Sequence, residues 1–138
     1  LRNPMNSNSP NKGWHLALWI VQGLLAAAFA AAGLMKMTVS MEQFVQSGGG
    51  PLVEAFGMGL VRFIGWSEFL GALGLLLPSA LRIKPVLTVW AAVGIAIIMV
   101  LATIHHAMAG ESVAATLGLL VLALLVVWGR STKAVIRA

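Results

Sequence analysis

The sequence predicts an all-α integral membrane protein, a bundle of four transmembrane helices with a short amphipathic segment in the first outer loop. Of its 138 residues, 59% are hydrophobic and only 9% are charged, and the mean hydropathy is +0.93. Soluble domains carry about 25% charged residues, and a small one buries only about two-thirds of its surface. Apolar runs long enough to cross a bilayer lie at about 14–37, 60–77, 85–106 and 112–128.

The chain begins with a polar segment, residues 1–13, whose Asn, Ser and Pro content is typical of a disordered tail. The first span follows and ends at Lys36. A cleaved signal peptide is the alternative, with Lys12 as its basic start and residues 28–30 (Ala-Phe-Ala) as the cleavage site. The length of the run and the lysine at its end favour a retained span.

The first loop, from Thr38 to Gly59, is more polar than the spans. Ser40 followed by Gln43 is a capping-box pattern, and we expect one or two short helices on the membrane surface. A glycine-rich turn at 47–51 interrupts them. A flexible loop is the alternative, because of the glycine content.

The remaining spans are marked by proline and by short links. The second is predicted to stop at Pro78, and the third to start at Pro85, a favoured first helical position. Short links place consecutive helices antiparallel. Residues 14–131 then form a single membrane domain, followed by a basic tail at 132–138.

Basic residues divide unevenly between the two sides of this four-span arrangement, seven against Lys36 and Arg62. The seven are Arg2, Lys12, Arg82, Lys84, Arg130, Lys133 and Arg137. The positive-inside rule therefore predicts a membrane protein with both termini cytoplasmic, and Trp14, Trp90 and Trp128 lie at the same interface. The net charge of +5 sits at the edges of apolar runs, so the expected partner is the lipid bilayer and not nucleic acid.

Glu68 is the main candidate functional residue, because it interrupts an apolar run. It lies about 12 Å from the predicted start of its span at Leu60. An ionised carboxylate at such a depth costs roughly 3 kcal/mol. We therefore expect it to be neutral, paired, or facing a wet cavity.

Other ionisable residues should meet Glu68 in the outer half of the bundle. They are Lys36, Arg62, His105, His106 and, less directly, Glu111. Lys36 and His105 are the favoured partners, since Arg62 lies about 120° around the same helix from Glu68. Adjacent histidines point about 100° apart, and the chain has no cysteine, so no metal site is expected.

This polar cluster has two interpretations. It is a site that opens outward and binds a lipid headgroup or quinone ring, or passes protons. Alternatively, it is a salt bridge between helices that only fixes their packing.

Two segments carry a resemblance to a known family. Residues 32–36 (Ala-Gly-Leu-Met-Lys) and 65–74 (Gly-Trp-Ser-Glu-Phe-Leu-Gly-Ala-Leu-Gly) are similar to those of the DoxX-like family of small four-span bacterial membrane proteins. Pro85, His105 and residues 129–130 (Gly-Arg) also fit, so the similarity covers about residues 14–131 and implies a location in a bacterial inner membrane. It implies that the Glu68 position matters, with Lys36 and His105 as companions. The family takes its name from a quinone-reducing thiosulfate oxidation system, which implies a quinone-linked role beside a membrane redox complex.

Three functional hypotheses follow. The first is a quinone- or lipid-binding accessory subunit, non-catalytic in itself, of a membrane oxidoreductase. The second is a structural or assembly protein without a ligand. The third is an oligomeric small-solute transporter, although the sequence lacks an evident repeat. No catalytic residue is assigned, and quinone is the one candidate cofactor.

Overall fold

The computed structural model describes residues 12–138, and within them the chain is helical, with no strand. Four helices are long and apolar enough to cross a membrane, which confirms the predicted fold class. Most of the predicted disordered tail lies outside the described residues. The helices are α1 (Lys12–Thr38), α2 (Met41–Phe44), α3 (Gly50–Leu81), α4 (Val86–Met108) and α5 (Ala114–Trp128), with π-helical turns at Val45–Gly49 and Gly129–Lys133.

The four long helices form a ring in which α1 packs on α3, α3 on α4, α4 on α5, and α5 back on α1. Leu25, Leu75 and Ile95 are buried at its centre. Large apolar side chains also cover the outside of the ring. Leu16 and Leu24, for example, are 63% and 61% exposed, as expected for surfaces that face lipid.

The two ends of the bundle differ in charge. We call the end formed by residues 36–59 and 105–113 the long-loop end. The opposite end, formed by Lys12, the α3–α4 link at 82–85 and residues 129–138, is the basic end.

The backbones of α1 and α3 touch near the long-loop end. A Cβ atom on Gly33 would lie 2.6 Å from the carbonyl oxygen of Gly65, and one on Gly65 would lie 2.8 Å from Cβ of Lys36. Small residues allow this approach, which is how helices associate without a hydrophobic driving force in lipid. The contact brings Lys36 directly against α3.

We expect Gly33→Ala to destabilise the protein by about 1–3 kcal/mol, because the new methyl group overlaps backbone atoms that have no room to move aside. Gly23→Ala on the same helix is the control. Its methyl group would meet nothing within 4 Å, so it should be neutral or stabilise by up to about 1 kcal/mol through helix propensity. Unfolding in mixed detergent micelles measures both. Equal losses would contradict the close approach.

The first loop is more ordered than a flexible linker. Both bonds of the predicted capping box are present, with Ser40 Oγ accepting from the Gln43 amide at 3.1 Å and Gln43 Oε1 accepting from the Ser40 amide at 3.3 Å. Later, α3 kinks at Gly57, whose φ of 77° lies in the left-handed region. The kink separates segment 50–56 from the spanning part of α3.

The sequence predicted that the second span stops at Pro78, and this is wrong: α3 continues through Pro78 to Leu81. Proline removes one backbone hydrogen bond, yet its fixed φ is helical. Membrane helices tolerate proline where neighbouring helices supply polar partners. Arg82, in the left-handed conformation with φ of 53°, then ends the helix.

Candidate functional site

Lys36 and Glu68 form a buried ion pair between α1 and α3. Lys36 Nζ donates to Glu68 Oε2 at 2.8 Å, and the two side chains are 15% and 4% exposed. Of the two partners favoured from the sequence, Lys36 is therefore the one that bonds to Glu68. His105 makes no hydrogen bond to Glu68.

The ion pair lies on the wall of a cavity of about 920 Å³. All four long helices contribute to this cavity, which reaches the size range of small-molecule sites, about 300–1,000 Å³. Its wall is mainly apolar, with Phe29, Ile64 and Met99 among the lining residues. The ionisable or hydroxyl-bearing lining residues are Lys36, Glu54, Glu68, His105, His106 and Thr116.

Segment 50–56 covers one side of the cavity. Pro51 and Phe56 line it, and the Phe56 ring lies 5.7 Å from the ring of His105, centroid to centroid. The kink at Gly57 is what turns this segment away from the axis of α3. His105 therefore packs against the cover and does not pair with Glu68.

His106 lies at the long-loop end of the same cavity. Its Nδ1 contacts a carboxylate oxygen of Glu111, and both side chains are more than a third exposed. An exposed pair of this kind contributes little to stability. Its position instead places a polar group where the cavity meets its surroundings.

Arg62 belongs to the same end of the bundle but does not line the cavity. Its guanidinium donates to the carbonyl oxygens of Lys36 at 2.7 Å and Val39 at 2.5 Å. A cation here satisfies the free carbonyls at the end of α1 and complements the helix dipole. Arg62 thus holds the turn that carries Lys36.

The ion pair keeps hydrogen-bonding capacity for a ligand. Among the described residues, Lys36 uses one of its three ammonium hydrogens and Glu68 one of its two oxygens. A molecule in the cavity would thus meet a donor and an acceptor side by side. No group of three metal-ligating side chains occurs in the described part of the chain.

A second polar centre lies at the basic end, around Arg130. Only 3% of the surface of this arginine is exposed. Its Nε donates to Gln22 Oε1 at 2.5 Å, and one terminal nitrogen donates to the carbonyl oxygen of Ala134 at 3.1 Å. Gln22 in turn donates to the carbonyl oxygen of Leu75 at 2.6 Å, so it links α1 to α3. The sequence pattern indicates the charge of Arg130 at this end and its fit to the family, but not its burial.

The model of the DoxX-like family matches residues 20–128. The match includes Lys36, Glu68 and His105, and Arg130 lies just beyond it. Comparisons with curated proteins and with solved structures gave no match.

Proposed function

The chain belongs to the DoxX-like family, and we propose that this multi-pass membrane protein binds a quinone or a lipid-like molecule beside the Lys36–Glu68 pair. The observation that carries the proposal is a cavity of about 920 Å³ with a buried ion pair on an otherwise mainly apolar wall. Intramembrane ionisable residues are rare, and where they occur they mark functional sites by default.

The chemistry of the wall suits an amphipathic ligand. A quinone carbonyl would accept a hydrogen bond from the ammonium group of Lys36, and the hydroxyl of a reduced quinone would donate to Glu68. An ester carbonyl of a lipid would use the same lysine. The isoprenoid or acyl chain would pack on side chains such as Ile64 and Met99.

We place the protein in a bacterial inner membrane, with its basic end on the cytoplasmic side. Six basic residues of the described chain lie there, against Lys36 and Arg62 near the long-loop end. The six are Lys12, Arg82, Lys84, Arg130, Lys133 and Arg137. The cavity then belongs to the outer half of the bilayer.

The proposed role is that of an accessory subunit. The chain has no cysteine, so it provides no thiolates for an iron–sulfur cluster. Electrons for a bound quinone would come from a partner oxidoreductase. The support for such a partner is the redox system after which the family is named, which is an argument by analogy; a homo-oligomer is the alternative assembly.

We expect Glu68→Gln to retain at least tenfold less of the molecule that copurifies with the wild type. The change keeps the shape of the side chain but removes the acceptor charge that orders Lys36. Organic extraction of the purified protein followed by mass spectrometry measures the retained molecule and identifies it as a quinone or a lipid.

Glu42→Gln is the matched control, because Glu42 is exposed on α2 and does not line the cavity. It should retain the molecule at the wild-type level. The binding proposal fails if all three proteins hold the same amounts of the same lipids.

The structural hypothesis has its own support, since the pair bridges α1 and α3 where their backbones touch. It predicts that Glu68→Gln changes stability alone. Retained ligand together with a lower unfolding midpoint would therefore favour a packing role.

A further inference from the structure

The guanidinium of Arg130 has more donors than the described residues can satisfy. Its NH2 nitrogen is buried and has no hydrogen-bond partner among them. Nε is bonded to Gln22, and the other terminal nitrogen faces Ala134 and His15. An arginine carries five N–H groups, so both hydrogens on NH2 lack an acceptor.

The neighbouring imidazole makes this deficit larger. Trp19 Nε1 lies 3.1 Å from His15 Nε2, and Arg130 lies 3.0 Å from His15 Nδ1. Both approaching groups are donors, but a neutral imidazole has one acceptor nitrogen and a protonated one has none. At most one of these contacts is a hydrogen bond, so the cluster needs a further acceptor.

The buried charge also has no counter-ion among residues 12–138. Neither ion pair in the described part of the chain includes Arg130. The chain has four acidic residues: Glu42, Glu54 and Glu111 lie near the long-loop end, and Glu68 is paired with Lys36. A buried charge is ordinarily paired.

Arg130 lines a second cavity, of about 390 Å³, between the α3–α4 link and the C-terminal segment. Ser79 also lines it, and its hydroxyl shares one hydrogen bond of 2.6 Å with that of Thr88. Two hydroxyls have two hydrogens, so when Thr88 donates, the hydrogen of Ser79 is free for a ligand. The rest of the wall, including Val86 and Val89, is mainly apolar.

We propose that Arg130 and Ser79 bind a phosphate-type oxyanion in this cavity. Such a group supplies the negative charge and several acceptor oxygens, which can accept both free hydrogens of the NH2 nitrogen. The phosphate of a membrane phospholipid and free inorganic phosphate share this chemistry. The apolar wall and the tryptophans at this end, Trp14, Trp90 and Trp128, favour the lipid.

The test uses the full-length chain in detergent, incubated with phosphatidylglycerol or with digalactosyldiacylglycerol, which has no phosphate. Native mass spectrometry counts the retained lipid. The variants are Arg130→Gln, which removes the charge, and Val89→Phe, which places a larger side chain in the cavity and leaves the bonds of Arg130 in place. Arg82→Gln is the control, because Arg82 is exposed at the same end.

We expect the wild type and Arg82→Gln to retain phosphatidylglycerol at least tenfold more than the galactolipid. Arg130→Gln and Val89→Phe should lose that preference. If inorganic phosphate raises the unfolding temperature of the wild type but not of Arg130→Gln, the ligand is free phosphate. If phosphate has no effect on the wild type, and Arg130→Gln loses the preference for phosphatidylglycerol, the ligand is the lipid.

The site is excluded if the wild type neither prefers phosphatidylglycerol nor responds to phosphate. It is equally excluded if Arg82→Gln loses as much binding as Arg130→Gln, or if Val89→Phe binds like the wild type. Should Arg130→Gln fail to fold, the comparison of wild type with Val89→Phe decides.

Discussion

Replacing Lys36 by Met is expected to destabilise the protein by about 3–5 kcal/mol, since it leaves a buried carboxylate without its counter-ion. The side chain of Glu68 is 4% exposed, and Lys36 is its ion-pair partner. Methionine retains most of the length and the apolar stem of lysine, so the loss comes mainly from the charge. Equilibrium unfolding in mixed micelles, followed by far-UV circular dichroism, measures the change.

Two further variants establish the cause. Lys36→Met combined with Glu68→Gln should recover most of the lost stability, because removing both charges of a buried pair is often close to neutral. Lys12→Met, at the exposed start of the same helix, should change stability by no more than about 0.5 kcal/mol. A loss below about 1 kcal/mol for Lys36→Met would mean that the pair behaves like a solvent-exposed one.

The Lys36–Glu68 pair could be predicted because two residues of opposite charge each stand next to apolar sequence, where charges are rare. Each span is an apolar run, so a single acid within one and a lysine at the end of another stand out. Antiparallel neighbours then bring both to the same side of the bundle. The structure decides what the pattern left open, namely that Lys36 and not His105 is the partner.

The burial of Arg130 could not be predicted in the same way. It depends on contacts with Gln22, 108 residues earlier in the chain, and with the backbone of Ala134. In the sequence, Arg130 resembles Arg82, another arginine just after an apolar run. Only the return of α5 to α1 distinguishes the two, because it encloses one side chain and leaves the other exposed.

The position of segment 50–56 over the cavity could not be predicted from the sequence either. Several glycines lie between residues 48 and 59, and any of them could have provided the turn. The structure places positive φ at Gly48 and Gly57. The second of these directs Phe56 towards His105, a contact between distant segments that local propensity does not encode.

A second large effect is expected from Ala32→Phe, which should reduce the retained quinone or lipid at least tenfold, equivalent to about 1.4 kcal/mol of binding free energy. Ala32 lies on the cavity wall one helical turn before Lys36. A phenyl group there would occupy the space beside the ion pair without removing either charge. Extraction and mass spectrometry of the purified variant measure the loss.

Ala31→Phe is the control for this change, because Ala31 is at almost the same depth on α1 but is exposed and does not line the cavity. It should bind like the wild type. In both variants the Lys36–Glu68 pair should stay intact, so their free energies of unfolding should not show the loss expected for Lys36→Met. Loss of ligand in Ala32→Phe alone would separate the cavity from the ion pair: the pair would hold α1 against α3, and the space beside it would hold the ligand. Equal retention in both variants would mean that the copurified molecule lies elsewhere on the lipid-facing surface.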